Sequence, residues 1–207
     1  MEGFTTIKED SKAEIIIKKS KFIAEVFYIE SQKEAEQKIQ EVVKREHSAK
    51  HHCFAYRVFE ESLVQRMSDD GEPSGTAGNP MLTILQGRDL TNVLVIVTRY
   101  FGGILLGTGG LVRAYSDATV EALDKADIKK KQKGVSIYFQ TEYSNLEQLK
   151  YYLKQINGKL EKTEYANNVQ VTIQVPSDKK EEFTKNYAKL PFKIENLEIL
   201  TEKFVDI

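Results

Sequence analysis

The chain has 207 residues, 41% hydrophobic and 29% charged, which is enough for one large or two small domains with packed cores and too apolar for a disordered protein. Basic residues number 30 against 31 acidic ones, so no global basic field exists, and any nucleic-acid binding has to come from a local patch. Apolar runs too short to cross a bilayer, an N-terminus unlike a signal peptide, and a single cysteine (Cys53) predict a cytoplasmic protein with no membrane partner, no disulfide and no multi-cysteine zinc site.

Residues 14–18 and 22–29 read as strands rich in β-branched and aromatic side chains, with Ser20 and Lys21 as the tight connection. Ser31 and Glu34 have the spacing of a capping box and open an amphipathic helix to about His47. Residues 53–59 alternate as a strand. In "NPMLTILQG", Asn79 is placed to cap a short helix, Pro80 suits its first position and Gly87 its end. "VLVIV" at 93–97 is a continuous apolar run, as in a strand buried on both faces. A glycine-rich segment then leads into a helix with Leu111, Tyr115, Ala118 and Ala122 on one face. The basic run at 125–134 reads as a linker.

Beyond it the order is strand, helix (opened by a second capping box, Ser144 and Glu147), two strands joined around Asn167 and Asn168, helix, strand. This βαββαβ order is that of a ferredoxin-like sandwich. The expected architecture is therefore α+β with two domains, 1–133 and 134–207.

Nine of the twelve glycines lie between Gly71 and Gly110, and eight of them form two clusters that each precede a helix start. Free amides and the positive end of the helix dipole make such places suited to an anion, and two in one domain suggest a phosphate-bearing ligand. Arg113 falls in the first turn of its helix, where a cation is disfavoured unless an anion binds; pairing with Asp117 is the alternative. Arg99 supplies a second charge, and Tyr100, Phe101 or Tyr115 a stacking face. Asp69, Asp70 and Glu72 are open to two readings, as metal or acid–base carboxylates or as turn formers, with Asp70–Gly71 a standard turn pair. "HHC" at 51–53 invites a zinc site, but neighbouring strand residues point to opposite faces, and Cys53 suits a buried, inert thiol. No Gly-Lys-Ser/Thr follows the glycines, which excludes a P-loop.

"DDGEPSGTAGNP" followed by "VTRYFGGILLGTGGLVRAYSDA" resembles the IMPACT family, and the resemblance extends over the whole chain. The family's signature maps onto Asp69, Asp70, Gly71, Glu72, Pro73, Gly75, Thr76, Ala77 and Gly78. Its second part maps onto Arg99, Tyr100, Gly102, Gly103, Leu106, Gly107, Gly109, Gly110, Arg113 and Tyr115. The resemblance implies an N-terminal domain folded like the second domain of a small-subunit ribosomal protein, followed by a ferredoxin-like one. Eukaryotic relatives regulate translation with an additional N-terminal domain, for which the residues before Glu14 are too few. For bacterial members the family implies a nucleic-acid or ribosome-associated role. The combined expectation is a binding protein for RNA or the ribosome with a composite glycine, arginine and aspartate anion site, needing no metal or cofactor. The alternatives are an enzyme acting on a small phosphorylated substrate and a regulator that binds a protein partner.

Overall fold

A computed structural model of the chain describes residues 2–166 and 168–206. In chain order the elements are β1 (Gly3–Ile7), β2 (Ser11–Ile17), β3 (Ser20–Tyr28), α1 (Gln32–Arg45), β4 (His51–Phe59), β5 (Leu63–Ser68), α2 (Gly78–Gly87), β6 (Val93–Tyr100), α3 (Thr108–Asp124), β7 (Ile128–Thr141), α4 (Leu146–Gln155), β8 (Lys159–Tyr165), β9 (Val169–Pro176), α5 (Lys180–Thr184) and β10 (Glu195–Asp206). The protein is α+β with two sheets whose ladders are antiparallel. Contacts divide it into two units, one of Thr5–Lys129 and one that takes in Gly3, Phe4 and the chain from Lys130.

In the first unit the sheet order is β2-β3-β6-β4-β5. β6 lies at its centre and is buried on both faces, as its uninterrupted apolar run predicts. Val93, Val95 and Val97 join the core beneath α2 and α3, where Leu111, Tyr115, Ala118 and Ala122 also lie. Leu94 and Ile96 face the opposite core, with Ala35 and Val42 of α1. The two-residue alternation of a strand thus assigns each side chain of β6 to one of two cores.

Local signals explain some boundaries and miss others. Ser31 caps α1 by accepting from the Glu34 amide, as expected, while the Glu34 carboxylate accepts from the Glu30 amide. The connection between β2 and β3 falls on Lys18 and Lys19, both at positive φ, and not on Ser20 and Lys21, which already belong to β3. β1 and β5 were not expected from the sequence pattern. Asn79 does not cap α2: Ala77 is the capping position, and its amide and that of Gly78 donate to the distant Asp69 carboxylate. Arg57 finishes the other end of α2, donating to the carbonyls of Leu85 and Leu90.

In the second unit β10 and β9 flank β7, and β8 pairs with β9 at the edge. The core beneath α4 and α5 is built on Ile137, Phe139, Leu149, Leu153, Val171, Ile173 and Phe183. The basic run expected as a linker is strand instead: β7 runs unbroken from Ile128 to Thr141, its lysines carried on a ladder that continues into buried Val135 and Ile137. The second capping box also fails. Tyr143–Asn145 form a 3₁₀ turn, α4 starts at Leu146, and the Ser144 hydroxyl donates to Glu142. α5 is a short segment, Lys180–Thr184, and not the longer helix its sequence suggests. Of the connection expected around Asn167 and Asn168, Asn167 lies outside the described residues.

Candidate functional site

The densely polar loop after β5 is organised around one carboxylate. Asp69 Oδ1 accepts from the amides of Ala77 (2.9 Å) and Gly78 (2.8 Å), and Oδ2 from Gly75 (2.7 Å). Burial alone would raise the pKa of this carboxyl, but the amides of Gly75, Gly78 and Ala77 outweigh it and hold it below the ordinary carboxylate value. Asp70 and Gly71 form a tight turn at φ 40° and 81°, closed by the Glu72 amide donating to the Asp69 carbonyl. The Asp70 carboxylate accepts from the His52 amide at 2.6 Å, which ties the turn to the start of β4. Thr76 is buried, with its hydroxyl on the Pro73 carbonyl.

This folding delivers Glu72 into the interior, where it meets Arg99 from β6 and Tyr115 from α3. Glu72 Oε1 accepts from Arg99 Nη1 at 2.7 Å and from the Tyr115 hydroxyl at 2.8 Å. The two charged side chains are only 7% and 3% exposed. Cys53 Sγ lies 3.3 Å from the Tyr115 hydroxyl and 3.0 Å from the Asp69 carbonyl. Burial pushes the Cys53 thiol up to about 12, so it is neutral and unreactive, as its place in the strand predicts. Burial likewise raises Tyr115, helped by its neighbours Cys53 and Glu72. Tyr115 is fully buried with its ring edge-on to Phe22, so it offers no stacking face to a ligand; it positions Glu72 instead.

Strand register explains the surroundings of Arg99. Phe22 of β3 and His51 of β4 are its partners on the two neighbouring strands. The guanidinium carbon lies 5.5 Å from the ring centres of both Phe22 and Phe101. Arg99 Nε is buried and has no hydrogen-bond partner, although nearly every buried polar atom normally finds one. The same arginine lines a pocket of about 510 Å³ with Ser48, Lys50, His51, Tyr100, Phe101 and Leu105. Tyr100 is braced there by donating to Glu46 at 2.8 Å, a bond that leads in holding the Glu46 carboxyl below its ordinary value.

Not every expected residue converges on this point. Among the described residues, Arg113 is exposed and forms neither an ion pair with Asp117 nor a bond to the Glu72 network. Gly107 starts α3 at φ 74°, and Gly109 and Gly110 lie in its first turn. Gly103 is at φ 83° in the loop between β6 and α3. Gly102 serves packing: an added Cβ would come within 2.0 Å of the Lys19 backbone, and its amide donates to Ser20 Oγ. A Gly102→Ala variant is therefore expected to lose about 1–3 kcal/mol of stability, read as a lower urea midpoint. His47, His51, His52 and Cys53 do not assemble a ligand set; among the described residues no three histidine, cysteine or carboxylate side chains group around a point. Lys50, His51 and Leu105 line the pocket without any signal for it in the sequence motifs. His51 was noticed only as a possible zinc ligand, and its true signal is register, one strand across from Arg99.

A sheet with helices on both faces, whose glycine-rich loops hold a buried Glu72–Arg99 pair, is the product of the two signature segments. The sequence profile of the Impact N-terminal domain matches residues 18–123, and that of a domain of unknown function, DUF1949, matches residues 139–186. The chain belongs to the IMPACT family. It is 37% identical to the IMPACT family member YvyE of Bacillus subtilis over 82% of this chain and 78% of that one. It is 38% identical to the IMPACT family member YigZ of Escherichia coli over 83% of this chain and 85% of that one. A crystal structure of a hypothetical protein matches with a TM-score of 0.66 at 33% identity, covering 97% of this chain and 98% of that one. No helix among the described residues is long and apolar enough to cross a membrane.

Proposed function

We propose that the protein is a non-enzymatic binding protein for single-stranded RNA, free or on the ribosome, and that the Arg99 pocket is its recognition site. One observation carries this reading: a nearly buried arginine lines a pocket together with Lys50, His51 and the exposed aromatic ring of Phe101. Cations beside an accessible ring match the two halves of a nucleotide, phosphate and base. Asp69, Asp70 and Glu72 act in this reading by shape, holding the loop and the arginine in place. The link to translation draws on the family. The ferredoxin-like reading of the second domain draws on the βαββαβ order of β7 to β10 and on the pairing of β7 with both β10 and β9 and of β9 with β8, in a five-stranded sheet where β1 also pairs with β7. The ribosomal-protein-like reading of the first domain rests on the family resemblance, and the proposed division remains 1–133 and 134–207.

The test is fluorescence anisotropy of a labelled single-stranded RNA against wild type and a Lys50→Glu/Phe101→Ala double variant, across a salt series. Wild type is expected to bind with an affinity that falls as salt rises, and the double variant to bind about tenfold or more weakly. Equal affinity in the two proteins, or binding indifferent to salt, would falsify the reading. A protein partner is the second reading, motivated by Ile104 and Leu105, 42% and 82% exposed beside the pocket. It predicts a partner retained after nuclease treatment and lost on Leu105→Asp.

A further inference from the structure

The pocket's cations are graded by depth. Lys50 is exposed, His51 is half-buried, and the Arg99 side chain is only 7% exposed. Arg99 is restrained on several sides: Phe22 and Phe101 lie near its guanidinium, Nη1 is held by Glu72, and Nε is buried. Arg99 nevertheless lines the pocket, and only a small part of its side chain is open to a ligand. Phe101 and Leu105, 56% and 82% exposed, line the same pocket.

Shape then discriminates between two kinds of phosphate. An internal phosphodiester carries a nucleoside on each side, and both would have to be accommodated around Phe101 and Leu105 for its two free oxygens to meet a nearly buried arginine. A terminal phosphate has one substituent and three free oxygens, and it enters end-on with its nucleoside left against Phe101. It also carries more charge, which suits a pocket where Lys50 and His51 stand beside the Glu72-paired Arg99. His51 fits the same role. Its Nδ1 is 2.8 Å from the Asp70 carbonyl, which can only accept, so Nδ1 carries hydrogen, and Nε2 donates to a phosphate only when the ring is doubly protonated.

We infer that the pocket holds the terminal phosphate monoester of a single-stranded RNA, an inference that rests on the RNA-binding reading above. The shared chemistry is a phosphate monoester on a nucleoside, which a free mononucleotide also offers, and the experiment separates these sources. Full-length protein is titrated with one labelled oligoribonucleotide in three forms: 5′-phosphorylated, 3′-phosphorylated and unphosphorylated. Adenosine monophosphate is the competitor.

At least one phosphorylated form is expected to bind about tenfold or more tightly than the unphosphorylated RNA, with the mononucleotide competing only at far higher concentration. Three equal affinities would overturn the inference and leave the RNA reading standing. No binding of any form would overturn both. Competition by the mononucleotide at the concentration where the phosphorylated RNA binds would move the site to free nucleotides and overturn the RNA-end assignment.

Arg99→Lys tests the deepest contact, but its buried partner Glu72 puts folding at risk, so Lys50→Ala/His51→Gln at the more accessible positions is measured beside it. A folded double variant, checked by circular dichroism, is expected to lose most of the preference for the phosphorylated end. Retention of the full preference would show that the phosphate is read elsewhere.

Discussion

A Glu72→Ala variant is expected to lose about 3–5 kcal/mol of stability, because it leaves the Arg99 charge buried without its partner. Arg99 is hemmed in except towards the pocket that it lines. Its neighbours on both sides are strands in register, its side chain is 7% exposed, and Phe22 and Phe101 lie close by. Removing the carboxylate also takes the acceptor from the fully buried Tyr115 hydroxyl. Glu72→Gln separates charge from geometry: its carbonyl oxygen can still accept from both donors but Arg99 keeps no counter-charge, so it is expected to lose less than Glu72→Ala and still to be clearly destabilised. Urea unfolding followed by circular dichroism reads both changes. An Arg99→Met/Glu72→Met double variant is expected to be more stable than Glu72→Ala alone, since no charge is then stranded. A Glu72→Ala loss below about 1 kcal/mol would mean that the arginine finds another partner or water, and that the pair is not what holds the site.

The contrast between Glu72 and Ser31 shows what a sequence makes legible. Ser31 caps its helix through Glu34, three residues on, and that spacing is visible in the chain. Glu72 and Arg99 are twenty-seven residues apart, and only the return of the chain through α2 and β6 brings them together. The sequence puts both in one composite site with its acids placed to serve the arginines, but it does not say which acid meets which arginine. β6 announced itself because burial on both faces leaves an unbroken apolar run. β5 did not, because it is an edge strand with largely exposed side chains and little alternation. The lysines of β7 misled for a related reason: the first part of the strand, residues 128–133, is exposed or half-buried, so they reach solvent without interrupting the ladder. Ser144 had the right spacing for a cap but the wrong local path, since a 3₁₀ turn carried its hydroxyl to Glu142. Periodicity and short-range caps can be read from one strand of text; a cap supplied from a distant loop, or a pocket made by register, cannot.

Asp69 is the clearest case of such a distant cap, and its removal is expected to have the second large effect. Asp69→Ala strands three amides that share one carboxylate, two of them on the buried residues Ala77 and Gly78, at a cost of about 2–4 kcal/mol. Asp69→Asn should fall between, because one oxygen can still serve Ala77 and Gly78 while its NH₂ group faces the Gly75 amide. The carboxylate also gives the effect a pH signature. Its folded pKa lies below the unfolded value of about 3.9, so the contribution is complete above that value and is lost as pH falls through the folded pKa. The stability gap between wild type and Asp69→Asn is thus expected to be flat from neutral pH to about 5 and to shrink on acidification. Hydrogen exchange at the Ala77 and Gly78 amides reports the same event locally, with faster exchange in both variants at neutral pH. A gap that stays constant down to pH 2 would show that the carboxylate's charge is not what the loop uses. The loop and the pocket share parts: the Asp70 carbonyl holds His51 Nδ1, and the Asp69 carbonyl meets Cys53 beneath Tyr115. A variant that frees the loop is therefore expected to weaken binding in the Arg99 pocket without removing any side chain that lines it.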